Sequence, residues 1–296
     1  MPELLLTAIR LGLTGSVFAL TLANALPFGR DQLARFPRER GEILRALVAM
    51  DAAVPLITLA VILLVRPGAA TAIGLAILAA SPAAPLAVGS ALKAGGRPRF
   101  VRSFHLTAAL LAPITAPITL ALLGQALGFD SVVHSAALLQ QIAVVIFLPT
   151  CLGIAIRSWW PALGERIAGP LTRIGGLVLL AVLVLVVARS WQSVLAFGLR
   201  SYLAVILMIA GALAAGQLLG PSRREDRTAL ALECAARNPG LALLIAAFNF
   251  PPDAALPVLI PYLLAAGLVS TLYARWRARG GTDPLASERD VRPVLP

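Results

Sequence analysis

Residues Thr228 to Phe250 read TALALECAARNPGLALLIAAFNF. The stretch is long and apolar enough to cross a bilayer, whose hydrocarbon core takes about 20 residues of helix. Its middle is Glu233-Cys234-Ala235-Ala236-Arg237-Asn238-Pro239-Gly240, a carboxylate, a guanidinium and an amide beside a Pro-Gly break. Each of these groups is costly in hydrocarbon, so their clustering predicts a site. The break also frees backbone N–H and C=O groups, which protein, water or ligand must satisfy.

The composition around this stretch matches a membrane solvent. Of 296 residues, 59% are hydrophobic and 13% charged, and mean hydropathy is +0.87. Soluble domains carry about 25% charge. The expectation is an all-α polytopic membrane protein. The first apolar run has the length of a full span, not of the short core of a cleavable signal peptide. Cys151 and Cys234 both fall in apolar runs without a CxxC spacing, which argues against redox or zinc chemistry. GxxxxGK[ST] and HExxH are absent, and the only histidines are His105 and His134. No catalytic constellation follows, so neither an enzyme nor a bound cofactor is expected. The net charge of +11 is read as arginine-rich cytoplasmic loops, not as a nucleic-acid footprint.

Nine runs approach span length: about 3–26, 42–65, 68–93, 99–123, 132–157, 168–189, 199–219, 224–249 and 254–275. Basic residues alternate with them. One side takes the groups containing Arg30, Arg40, Lys93, Arg97, Arg102, Arg157, Arg173, Arg223 and Arg275; the other has only Arg66, Arg189 and Arg200. This asymmetry places the N-terminus outside and the C-terminus in the cytoplasm of a multi-pass inner-membrane protein. The transmembrane domain covers 1–279, and the polar tail at 280–296 reads as disordered.

A second break supports an internal repeat. Span three carries Ser81-Pro82-Ala83-Ala84-Pro85 half-way along, as span eight carries Arg237-Asn238-Pro239-Gly240. Interrupted segments at corresponding positions point to inverted repeats in a transporter. Repeat one would cover about 3–123 and repeat two about 168–275, with the span at 132–157 connecting them. Proline is also a common simple kink in membrane helices, which is the plainer reading of each break.

Glu233 and Arg237 are spaced i, i+4 and so share a helical face. Either they form a buried ion pair that orients the half-helices, or Arg237 faces a substrate anion while Glu233 tunes it. Arginine suits the second role because its fork grips a carboxylate in two places. Asn238 can donate to substrate or mend the opened backbone, and the half-helix from Pro239 and Gly240 presents its N-terminal amides. His105 is either interfacial or proton-responsive. Gln140 and Gln141 read equally as helix glue or substrate contacts.

The span-eight motif, Glu233-Cys-Ala-Ala-Arg237-Asn238-Pro239-Gly240-Leu241-Ala242, resembles that of the bile acid:sodium symporter family. Ser81-Pro82-Ala83-Ala84 resembles the family's Pro-Gly-Gly break, and Leu111-Ala112-Pro113 a proline step in its next helix. The resemblance implies a nine-helix form in which two broken helices cross within a core domain of spans two to four and seven to nine. Spans one, five and six form a panel domain. It also implies a sodium symport site, but the positions of the side-chain ligands are here Ala87, Val88, Val101 and His105. The glutamate is retained as Glu233, and Arg237 replaces a glutamine. Sodium coupling is therefore expected to be weak or absent, with Arg237 as a built-in cation.

The expected function is a secondary transporter that moves a small organic anion across the inner membrane by alternating access. The site residues are Glu233, Arg237, Asn238, Pro239, Gly240, Ser81, Pro82 and His105. One alternative is an efflux carrier for a small inorganic oxyanion or metalloid, with Cys234 near the break. Another is a membrane sensor or enzyme on a transporter-like scaffold. Substrate identity, direction, coupling ion and oligomeric state stay open.

Overall fold

The computed structural model describes residues 3–28, 40–129, 135–195, 197–250 and 256–279. The loop arginines 30, 35 and 38, His134 and the tail at 280–296 lie outside the described residues. Helix α1 spans Glu3–Ala25. Helix α2 (Arg40–Leu47) runs through a π turn, Val48–Ala53, into α3 (Val54–Val65). A break separates α4 (Ala69–Ala80) from α5 (Ala87–Lys93), and α6 covers Pro98–Leu127. Helix α7 (Ser135–Ile142) passes through a second π turn, Ala143–Phe147, into α8 (Leu148–Trp159). Then come α9 (Pro161–Leu195), α10 (Leu199–Leu219), α11 (Arg224–Ala235), α12 (Pro239–Asn249) and α13 (Leu256–Arg279).

Seven helices among the described residues are long and apolar enough to cross a membrane. The other two expected spans, 68–93 and 224–249, are each interrupted, as α4/α5 and α11/α12. One boundary needs correction. Span six was placed at 168–189, yet α9 starts at Pro161 directly after Trp160. Proline is preorganised for a first helical turn, where its missing N–H is not needed. The loop expected after residue 157 is thus reduced to a corner at Trp159 and Trp160, both well exposed.

Proline also explains both π turns. A proline inside a helix lacks an N–H and clashes with the carbonyl four residues back. Pro55 and Pro149 each come one residue after the end of a π turn, where the wider register bridges the offending carbonyl. The i−5 bonds Val54 N–H to Ala49 and Leu148 N–H to Ala143 mark the two wide turns.

Small side chains set the packing. The core is rich in alanine, and α10 meets α11 where a Cβ on Gly216 would lie 2.5 Å from Ala231 Cα. Such close approach is how helices associate when lipid gives no hydrophobic drive. The contacts sort the helices into two groups. Helices α1, α8 and α9 pack on one another, while α3, α4, α6, α10, α11 and α13 form the larger body. The groups meet where α1 packs on α12, which itself packs on α4 and α13, where α9 touches α13, and where α6 packs on the second π turn and α8.

At the arginine-rich end, three helix starts are tied through Arg97. Its backbone N–H donates to Asp226 Oδ1 at 2.7 Å and its Nε to Oδ2 at 2.5 Å, while Nη2 reaches Glu42 Oε2 at 2.6 Å. Burial acts to lower the pKa of this guanidinium, but the bonds to Asp226 and Glu42 outweigh it and the net direction is up.

Candidate functional site

The site begins with two helix breaks. The residue before a proline is pushed out of the helical region. Ser81, before Pro82, is extended (φ −74°, ψ 141°), and Asn238, before Pro239, has φ −75° and ψ 97°. The freed backbone groups satisfy one another. Ala84 N–H donates to the Ala236 carbonyl at 2.7 Å, and Asn238 N–H to the Pro82 carbonyl at 2.9 Å. Ala83 and Arg237 thereby form an antiparallel bridge. The two breaks cross and mend each other, which in hydrocarbon is the condition for their existence.

The groups left over go to side chains. Ser81 Oγ donates to the Ile77 carbonyl at 2.8 Å. Asn238 Oδ1 accepts from Leu241 N–H at 3.0 Å and so caps α12, as an asparagine at that position commonly does. Pro239 opens the new helix, and the bare Cα of Gly240 faces α1, where a Cβ would fall 2.6 Å from Val17 Cγ2. Tyr262 of α13 braces the second break from behind: its hydroxyl accepts from Arg237 N–H at 2.8 Å and donates to the Ala235 carbonyl at 2.5 Å.

Arg237 is the largest fully buried side chain among the described residues. Its Nε donates to the Leu78 carbonyl at 3.1 Å, Nη2 to the Ala79 carbonyl, and Nη1 to the Met50 carbonyl at 3.3 Å. Leu78 and Ala79 lie in the last turn of α4, where carbonyls run short of helical donors, and the Leu78 carbonyl also accepts from Ser81 N–H at 3.1 Å. Met50 lies in the first π turn. One guanidinium thus joins three irregular points of the backbone.

This corrects the expected Glu233–Arg237 pair. Helix α11 ends at Ala235, so the i, i+4 relation is cut before Arg237 is reached. The acidic side chain acting on Arg237 is Asp51, in the same π turn as Met50. Glu233, 1% exposed, is met instead by His105, with Nδ1 to Oε2 at 3.1 Å. Its other oxygen, Oε1, is buried without a protein partner. Tyr262, Asp51 and Met50 were not singled out in the sequence. Only Tyr262 carried a signal, a hydroxyl at membrane depth directly after Pro261.

Two cavities adjoin the crossing. A small one, about 10 Å³, lies among Thr21, Pro82, Pro85, His105 and Asn238. Thr21 Oγ1 and Asn238 Nδ2 are both buried there without partners, so the space suits a water. The larger, about 450 Å³, lies between α1, α5, α6 and α9, with Arg102, His105 and Arg173 among its lining residues. His105 and Pro85 line both. Asn24 of α1 reaches across, donating from Nδ2 to the Pro85 carbonyl at 2.7 Å. Gln140, Gln141 and Cys234 line neither cavity; Cys234 is fully buried. Among the described residues no group of three or more His, Cys, Asp or Glu is placed to hold a metal.

An all-α polytopic chain in which broken membrane segments cross beside a cation-lined cavity is, by class, a membrane transporter. A family model described as the Sodium Bile acid symporter family matches residues 30–197, more than half of the chain, which therefore belongs to that family. The match takes in the first break, His105 and both cavity arginines; the second break lies beyond it. No curated protein matches the chain.

Sodium is the co-substrate in the family's name. A hard cation takes several oxygen ligands. Ala87, Val88 and Val101 supply no side-chain oxygen, His105 offers nitrogen to Glu233, and the guanidinium of Arg237 already takes the carbonyls of Met50, Leu78 and Ala79.

Proposed function

We propose that this protein is a secondary carrier for an organic anion, working by alternating access with weak or no sodium coupling. The observation that carries the reading is the cavity of about 450 Å³ beside the crossed breaks, with Arg102, Arg173 and His105 as its titratable lining among the described residues. Its size is that of a small-molecule site, and its charge is that of an anion site. The larger body of helices serves as the core and α1, α8 and α9 as the panel, with the crossing as the pivot that keeps broken backbone satisfied while the bodies move. Arg237 acts there as a tethered cation. The cavity lies near the arginine-rich end of the helices, read as the cytoplasmic side of the inner membrane, with the N-terminus outside.

Uptake of organic acids into proteoliposomes, with sodium replaced by a large organic cation, tests this. Transport should persist without sodium. A strict sodium requirement would refute the coupling part, and failure to move any organic acid would refute the carrier itself. The oxyanion-efflux alternative leaned on Cys234, and a fully buried thiol away from both cavities gives it no support.

A further inference from the structure

Arg102 and Arg173 enter the sequence reading only as markers of sidedness, yet both line the larger cavity. They come from different bodies. Arg102 lies on α6, three residues before His105 and so on the same helical face. Arg173 lies on α9, in the group with α1 and α8. No acidic side chain lines the cavity or pairs with either guanidinium among the described residues. The wall between them is mainly apolar, with Leu20, Phe28, Leu86 and Leu92, and carries Asn24 and Thr172 as polar members.

A guanidinium against such a wall is best answered by a carboxylate that it can hold with two parallel bonds. A ligand with one acidic group answers one cation and leaves the other without an anionic partner in the cavity. We propose that the transported ligand is an organic dianion with an apolar body, one acidic group held by Arg102 and the other by Arg173. The inference rests on the organic-anion reading above and adds the ligand's second charge. Such a ligand joins the two bodies, so Arg173 acts on their approach around the ligand while Arg102 takes the first contact. Arg102 is half-buried and Arg173 exposed, so solvent screens the second contact more and Arg102 contributes the larger share.

The test compares benzene-1,3-dicarboxylate with benzoate, which share a ring and differ by one acidic group. Binding to the purified full chain is measured by calorimetry, and uptake is measured in liposomes. The dicarboxylate should bind about tenfold tighter or more, the effect of one charge-assisted contact. Arg173→Gln should erase that preference with little change for benzoate; Arg102→Gln should weaken both acids. Arg102→Lys and Arg173→Lys, which keep the charge, should recover part of the binding and guard against misfolded variants. Equal affinity for the two acids, or a preference that survives both glutamine substitutions, overturns the dianion. Loss of the preference on adding phosphatidylglycerol, without dicarboxylate uptake, assigns the arginines to a lipid headgroup and also overturns it. Uptake of benzoate alone removes the second charge and leaves the carrier reading standing; binding and uptake of neither acid remove both.

Discussion

His105 and Glu233 are 128 residues apart in sequence, and their Nδ1 and Oε2 atoms are 3.1 Å apart in space. The imidazole is the one side chain that meets this buried carboxylate among the described residues, and it stands between the two cavities.

Removing it should therefore cost more than its packing. His105→Ala removes the hydrogen-bond partner of the buried Glu233 side chain and is expected to lower stability by about 1–3 kcal/mol, the scale for leaving a buried polar group unsatisfied. Adding Glu233→Gln should restore part of the loss, because an amide costs less than a carboxyl group to bury without that partner. Denaturation of all three variants in detergent measures the coupling; additive losses would mean that the contact is incidental.

Arg237→Gln should be among the most damaging single changes. It withdraws donors from the carbonyls of Met50, Leu78 and Ala79 at once, for an expected loss of about 3 kcal/mol. Arg237→Lys should recover only part of this, since one ammonium cannot reproduce the fork. If the guanidinium stands in for a metal cation, the glutamine variant should be raised in melting temperature by sodium chloride over choline chloride. A variant indifferent to sodium would leave Arg237 purely structural.

Asn238→Ala deletes the α12 cap and should cost about 1 kcal/mol. Tyr262→Phe removes the partner of Arg237 N–H and of the Ala235 carbonyl together, at about 1–2 kcal/mol. Thermal unfolding checks both. Equal stability of Tyr262→Phe and the native chain would show that water mends the second break.

Gly240→Val drives a side chain into Val17 and should cost about 1–3 kcal/mol by overpacking. Combining it with Val17→Ala should recover stability, and with it any transport that the single variant lost. A tolerated Gly240→Val would show that α1 is free to move away from α12.

Arg97→Ala takes the guanidinium away from Asp226 Oδ2 and leaves this fully buried carboxylate with the backbone N–H of residue 97 on Oδ1. The expected loss is about 2–3 kcal/mol, at the low end for a buried pair because the arginine itself is about one-third exposed. Its sign with pH is fixed. The guanidinium's pKa is raised, so its contribution is complete below the ordinary arginine range and is lost only as pH rises past it. A denaturation series from pH 6 to pH 9 should show no loss traceable to Arg97; a fall over that window that is absent from the alanine variant would contradict the pairing.

Both breaks were legible because proline acts locally. Pro82 and Pro239 disturb the residue before them by sterics alone, and two such sites at matching depth announce a shared purpose. Glu233 was legible as a costly group. What it touches was not, because a helical wheel continues through residues where the real helix has stopped. Glu233 and Arg237 share a face only on a helix that reaches residue 237, and α11 ends at Ala235. Asp51, Met50 and Tyr262 come to Arg237 from elsewhere in the chain, and no periodicity encodes that meeting. Arg102 and Arg173 were counted as loop charge, since sequence shows which end of a helix a residue occupies but not which wall it faces.

The bond from Asn24 to the Pro85 carbonyl joins α1 to the first break across the boundary between the helix groups. If those groups part during each passage of cargo, this bond must open and re-form every time. At about 1 kcal/mol it would slow a cycle roughly fivefold. Asn24 would then govern throughput, and a variant lacking its amide would run faster.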